Sequence, residues 1–110
     1  FHKHAGELCA GVQIHVEDPT HYEHSAFRPW RLQALAFKAI RQLQPDYLLW
    51  RDFDYEYESG RLAIDLINGS PLLREWVDDP AANPMDLDEL ARSDEAAWIE
   101  TRRPYLLYPA

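Results

Sequence analysis

Residues 7–16 alternate in character with period two. The even positions are Leu8, Ala10, Val12, Ile14 and Val16; the odd positions are Glu7, Cys9, Gly11, Gln13 and His15. Strand side chains alternate between faces, so the segment reads as a β-strand with one continuous apolar stripe. Its other face carries a small thiol, a bare backbone position, an amide and an imidazole. A face selected only for solubility would more often show Lys, Glu and Thr. The segment therefore demands a fold that covers its stripe, and its odd face suits close contact with something else.

A helix able to supply that cover follows. Pro29 is suited to a first helical position, and Leu32, Leu35, Ala36, Ala39, Ile40 and Leu43 then fall at helical spacing until Pro45. The fold expected is α+β: a small mixed or antiparallel sheet that includes residues 7–16, packed against two or three helices, with residues 29–44 laid over the sheet. Tyr47 to Trp50 reads as a short strand. Residues 52–58 alternate Phe53, Tyr55 and Tyr57 with acids and read as an edge strand or extended arm. Residues 61–67 are ambiguous by pattern, and Asn68-Gly69 ends them. Ser70-Pro71 caps and opens a short helix through about Val77. Asp79 to Met85 is a loop. Asp86 with Glu89 resembles a capping box that starts a helix from Leu87 to about Arg102, bent near Ser93-Asp94 and ended by Pro104. Tyr105 to Tyr108 is an apolar extended tail that needs a packing site.

The chain has 110 residues and 46% hydrophobic content, which suits a single domain with one core. Nineteen acidic residues against 11 basic give a net charge of −8. That balance argues against nucleic acid and anionic membrane surfaces as partners. No apolar run is long enough for a membrane span. One cysteine forms no internal disulfide and leaves the compartment open. The chain opens on Phe and reads as a fragment or processed product.

Few groups carry recognisable chemistry. His2, His4, His21 and His24, with Cys9 and His15 between, lack the ligand spacing of zinc sites. No metal and no cofactor is expected. Cys9 and His15 share a strand face but stand about 20 Å apart at the usual rise, too far to act as nucleophile and base. The acids Asp52, Asp54, Glu56 and Glu58 lack the Gly turn and distal Glu of a calcium loop, and read as an edge that resists strand aggregation. Gly-rich phosphate loops and nucleophile elbows are absent.

The order of several short motifs carries more. The run from Phe1 to Val16, FHKHAGELCAGVQIHV, resembles the F-x-K-x-x-G-x-x-C-x-G-V-Q-I-H-V segment of bacterial exo-β-N-acetylmuramidases of the NamZ type. The likeness continues in Phe27-Arg28-Pro29, in Tyr55-Glu56-Tyr57-Glu58, and in Ile64-Asp65-Leu66-Ile67-Asn68-Gly69-Ser70 followed by Leu73-Arg74-Glu75. It closes with Arg103-Pro104-Tyr105-Leu106-Leu107-Tyr108. One departure lies before the tail, where members often carry Trp and Phe and this chain has Ser93 and Trp98.

The resemblance implies the C-terminal auxiliary domain of a peptidoglycan-recycling glycosidase. Such an enzyme removes terminal N-acetylmuramic acid from the non-reducing ends of peptidoglycan fragments. It also implies a Rossmann-like N-terminal domain of the same polypeptide as partner, holding the catalytic carboxylate, and a substrate cleft between the two. The parent is then expected in the periplasm or outside the cell. This chain alone is expected not to be catalytic, and no catalytic residue carries over. The alternative class is a non-catalytic peptidoglycan-binding or domain-docking module. Candidates to line the cleft or the interdomain face are Lys3, His4, Cys9, Gly11, Gln13 and His15. Gly11 would permit close backbone approach, and Gln13 and His15 would donate hydrogen bonds; alternatively, Gly6 and Gly11 serve bends or bulges, Cys9 packs and His15 is solvated. Lys3, beside His4, is the cation expected to steer the sugar's lactyl carboxylate or to pair with a carboxylate of the partner domain.

Overall fold

A computed structural model describes residues 4–16, 18 and 20–108. Its regular elements are helices: α1 (Pro29–Leu43), α2 (Ala63–Asn68), α3 (Leu72–Asp78) and α4 (Pro84–Arg102), followed by a 3₁₀ turn over Arg103–Tyr105. No strand or sheet forms among the described residues, which corrects the α+β expectation. Residues 7–16 contain no regular structure and lie exposed throughout. A strand needs a neighbour for its N–H and C=O groups, and alternation alone does not supply one. Residues 47–50 form turns and bends. The acidic arm reduces to a tight turn in which Tyr55 and Glu58 exchange backbone hydrogen bonds at 3.2 and 3.0 Å around Glu56, whose φ is +53°.

Only α4 has a side-chain cap; α1, α2 and α3 start without one, and Ser70 does not cap α3. Pro29 opens α1. The stretch left ambiguous by pattern is α2, stopped by Gly69 at φ +82°, a left-handed position that glycine adopts without steric cost. The start of α4 lies three residues earlier than the Asp86 signal. Asn83 Oδ1 accepts from the Met85 amide at 2.8 Å, and the Asp86 carboxylate accepts from the Asn83 amide at 2.8 Å. Asp86 is thus the third helical residue of the box rather than its cap. The helix then runs through Ser93 and Asp94 without interruption.

The core is small. Ala34, Leu73, Trp76, Val77 and Leu87 are buried, and Leu35, Phe37, Leu49, Trp50, Ile64, Ala82 and Leu90 pack against them. Phe37 and Trp50 meet edge to face at 5.5 Å. Asp78 ties the loop after α1 to α3, accepting from Arg41 Nε and from Trp50 Nε1 at 2.8 Å each. Arg41 also donates to the carbonyls of Pro45 and Tyr47.

The face of α1 that enters this core shares only part of its apolar stripe, through Leu35. Ala34 and Lys38 are the buried positions, whereas Leu32, Ile40 and Leu43 are exposed. The expected laying of this helix over a sheet therefore does not occur. Leu8, Val12, Ile14 and the tail residues Tyr105, Leu107 and Tyr108 are exposed as well. The radius of gyration is 17.3 Å, against about 13 Å for a compact domain of this length. Much apolar surface that a self-contained domain would bury thus faces outward.

Candidate functional site

The described N-terminal candidates lie on an exposed segment without regular structure rather than in a pocket. His4, at φ +56°, and Gly6, at φ +81°, shape a turn closed by the Glu7 amide donating to the His4 carbonyl at 3.1 Å. His4 Nδ1 meets Glu7 Oε2 at 2.7 Å, so the imidazole is engaged within its own turn. The Cys9 thiol is exposed and reaches the Glu7 carbonyl at 3.8 Å. A Cβ placed on Gly11 would meet nothing within 4 Å, so no close approach within this chain calls for glycine there. Gln13 and His15 are exposed on the same segment. Lys3 lies outside the described residues. The contacts thus draw His4 and Cys9 toward Glu7. No group of three or more side chains of metal-binding type converges among the described residues.

A concave site lies elsewhere, between the start of α1 and the middle of α4. Its volume is about 580 Å³, and its walls include Phe27, Arg28, Trp30, Arg31, Asp88, Arg92 and Glu95. That size is in the range of small-molecule sites. Two helices build it. Arg28 and Arg31 are one turn apart at the head of α1, while Asp88, Arg92 and Glu95 recur at spacings of four and three along one face of α4.

The pairing within the cleft is unequal. Arg31 Nε and Nη2 donate to the two Asp88 carboxylate oxygens at 2.5 and 3.0 Å, a forked pair that joins the two helices. These bonds hold the Asp88 carboxyl below the usual carboxylate range, with the charges of Arg31, Arg92 and Arg28 acting in the same direction. The same hydrogen bonds raise the Arg31 guanidinium above its already high range. Arg92 is paired with Glu89. Arg28 faces Glu95 at 3.7 Å, beyond hydrogen-bond length, with both side chains well exposed. Trp30, also in the lining, donates from Nε1 to Asn68 Oδ1 at 2.9 Å, which ties its indole to α2.

None of these cleft residues figured among the sequence candidates. The usable signal was the pair Arg28 and Arg31 at a helix start, set against a repeating Asp–Arg–Glu face on α4. Their meeting requires the packing of elements 57 residues apart.

The family model described as Exo-beta-N-acetylmuramidase NamZ, C-terminal, matches residues 1–108. No curated protein and no solved structure shows significant similarity to the chain.

Proposed function

The chain belongs to the NamZ C-terminal family, and from that premise we propose that it is the auxiliary domain of an exo-β-N-acetylmuramidase. In this reading the parent releases terminal N-acetylmuramic acid from the non-reducing ends of peptidoglycan fragments in the periplasm or outside the cell. An N-terminal domain of the same polypeptide supplies the catalytic carboxylate, and this chain supplies one wall of the substrate cleft. The family match over nearly the whole chain is the observation that carries the reading.

The surface supports it. Residues 8–16, the outer face of α1 and the C-terminal tail each expose large apolar side chains. Exposed apolar area of that extent marks an interaction surface. A partner domain in the same polypeptide would cover it without the translational cost of bringing two molecules together. Cys9, Gly11, Gln13 and His15, exposed on the N-terminal segment, would then border the cleft.

The same surface also favours a second reading, in which the chain only docks or binds peptidoglycan and forms no part of the active site. Calorimetric titration with muramic acid oligosaccharides separates the two. A shared cleft predicts tight binding by the complete polypeptide and weak binding by the isolated chain. Equal affinity in both favours the binding module, and no binding in either contradicts both.

A further inference from the structure

Three guanidiniums and two carboxylates line the cleft between α1 and α4. The three guanidiniums there are not equally occupied. Arg31 is closed onto Asp88 by two hydrogen bonds and serves as a brace between the helices. Arg92 is drawn to Glu89. Arg28 stands 3.7 Å from the Glu95 carboxylate and has no closer partner among the described residues. Its side chain is 63% exposed and that of Glu95 is 64% exposed. A pair this open is screened by water and holds Arg28 only loosely. The planar donor fork of Arg28 is thus presented to the cleft without a hydrogen-bonded acceptor. Trp30 and Phe27 also line the cleft, Trp30 Nε1 donating to Asn68 and the Phe27 ring meeting Tyr22 at 5.6 Å.

We propose that this cleft is a subsite for an acidic sugar, with Arg28 binding the sugar's carboxylate and Trp30 offering an aromatic face to the ring. The inference deepens the muramidase reading and rests on it. N-acetylmuramic acid differs from N-acetylglucosamine by a lactyl ether, and the lactyl carboxylate is the group an enzyme must recognise to tell them apart. A guanidinium matches a carboxylate through two parallel N–H donors, which gives direction as well as charge. Arg28 is thus a cation for the lactyl carboxylate alongside Lys3, which lies outside the described residues. Arg28 lines a cavity of suitable size. Glu95 is the competitor. A substrate carboxylate takes its place on Arg28, and the exposed Glu95 side chain turns to water.

The test uses the complete polypeptide and two chromogenic substrates: an N-acetylmuramic acid glycoside and its lactyl methyl ester, which keeps the sugar and removes the charge. The wild type should prefer the acid. In Arg28→Ala the acid-to-ester ratio of kcat/KM should fall at least about tenfold, mainly through KM for the acid. Arg28→Lys should restore part of the ratio, and Glu95→Gln should lower KM for the acid. Calorimetric titration of wild type and Arg28→Ala with N-acetylmuramic acid and N-acetylglucosamine gives a readout independent of turnover. A ratio unchanged within about twofold in a folded Arg28→Ala protein overturns the subsite and leaves the muramidase reading standing. A wild type that hydrolyses neither substrate overturns the reading, and the subsite with it.

Discussion

The Lys38 ammonium donates to the Trp76 carbonyl at 2.9 Å and lies 5.0 Å from the centre of the Trp76 indole ring. It also donates to the carbonyls of Val77 and Asp79, at 3.3 and 2.5 Å. Lys38 is almost fully buried. A buried ammonium is tolerated here because its three donors meet three acceptors at the negative end of α3, with a π-face alongside. Lys38→Met keeps the apolar stem and leaves those carbonyls without their donor. Urea unfolding should show a loss of about 2 kcal/mol. A loss below about 0.5 kcal/mol would contradict this role for the buried charge.

Asp65 and Arg74 clamp α2 to α3 across the Gly69 turn. Arg74 Nε donates to Asp65 Oδ1 and Nη2 to Asp65 Oδ2, both at 2.9 Å, and both side chains are largely withdrawn from water. Asp65→Asn removes one charge and leaves the other half-buried, so it should cost about 2 kcal/mol. Arg74→Lys should not be silent either, because a point charge does not span both oxygens. Thermal unfolding of the two variants checks this, and a Tm within experimental error of the wild type for both would refute it.

The brace between Arg31 and Asp88 predicts a particular acid response. The folded-state pKa of Asp88 lies below its unfolded value because Arg31 hydrogen-bonds the carboxylate. The stabilisation is therefore fully present above the unfolded carboxyl range, about pH 3.9. It disappears as pH falls through the folded pKa. Wild type and Asp88→Asn should accordingly differ by a constant amount in stability at and above about pH 5, and converge as the solution is made more acid. A difference that persists undiminished to the lowest pH at which both proteins fold would show that the brace acts through something other than this ionisation.

The helices α1, α3 and α4 were legible because their signals are local, whereas the stretch that forms α2 was ambiguous by pattern. The Pro29 start, the Asn68-Gly69 stop and the spacing along α1 each involve residues within a few turns of one another. Even so, the side of α1 that is buried could not be read. Its apolar stripe looks core-facing, yet Ala34 and Lys38 turn inward because α3 offers Lys38 a ring of carbonyls. Residues 7–16 misled for a related reason. Period-two alternation shows that one side of a strand could pack, not that a neighbouring strand exists. The Arg28 cleft stayed hidden because its walls come from two distant helices, and only packing brings them together.

The exposed stripe should behave differently alone and in its parent. Val12 is 91% exposed, so Val12→Asp should change the stability of the isolated chain by less than about 0.5 kcal/mol. In the complete polypeptide, where the stripe is proposed to be covered, the same substitution should cost at least about 1.5 kcal/mol. Equal small effects in both settings would show that residues 8–16 remain uncovered.

The central claim is that this chain acts as a necessary wall of a muramidase cleft rather than as an independent unit. The direct measurement is release of free N-acetylmuramic acid from muramic-acid-terminated peptidoglycan fragments. It should be made with the complete polypeptide, with the isolated 110-residue chain, with the remainder of the polypeptide, and with the last two mixed. The account predicts release by the complete polypeptide, none by the isolated chain, a loss of about 10²-fold or more in the remainder, and partial recovery on mixing. Turnover by the isolated chain, or a remainder as active as the whole, would contradict it.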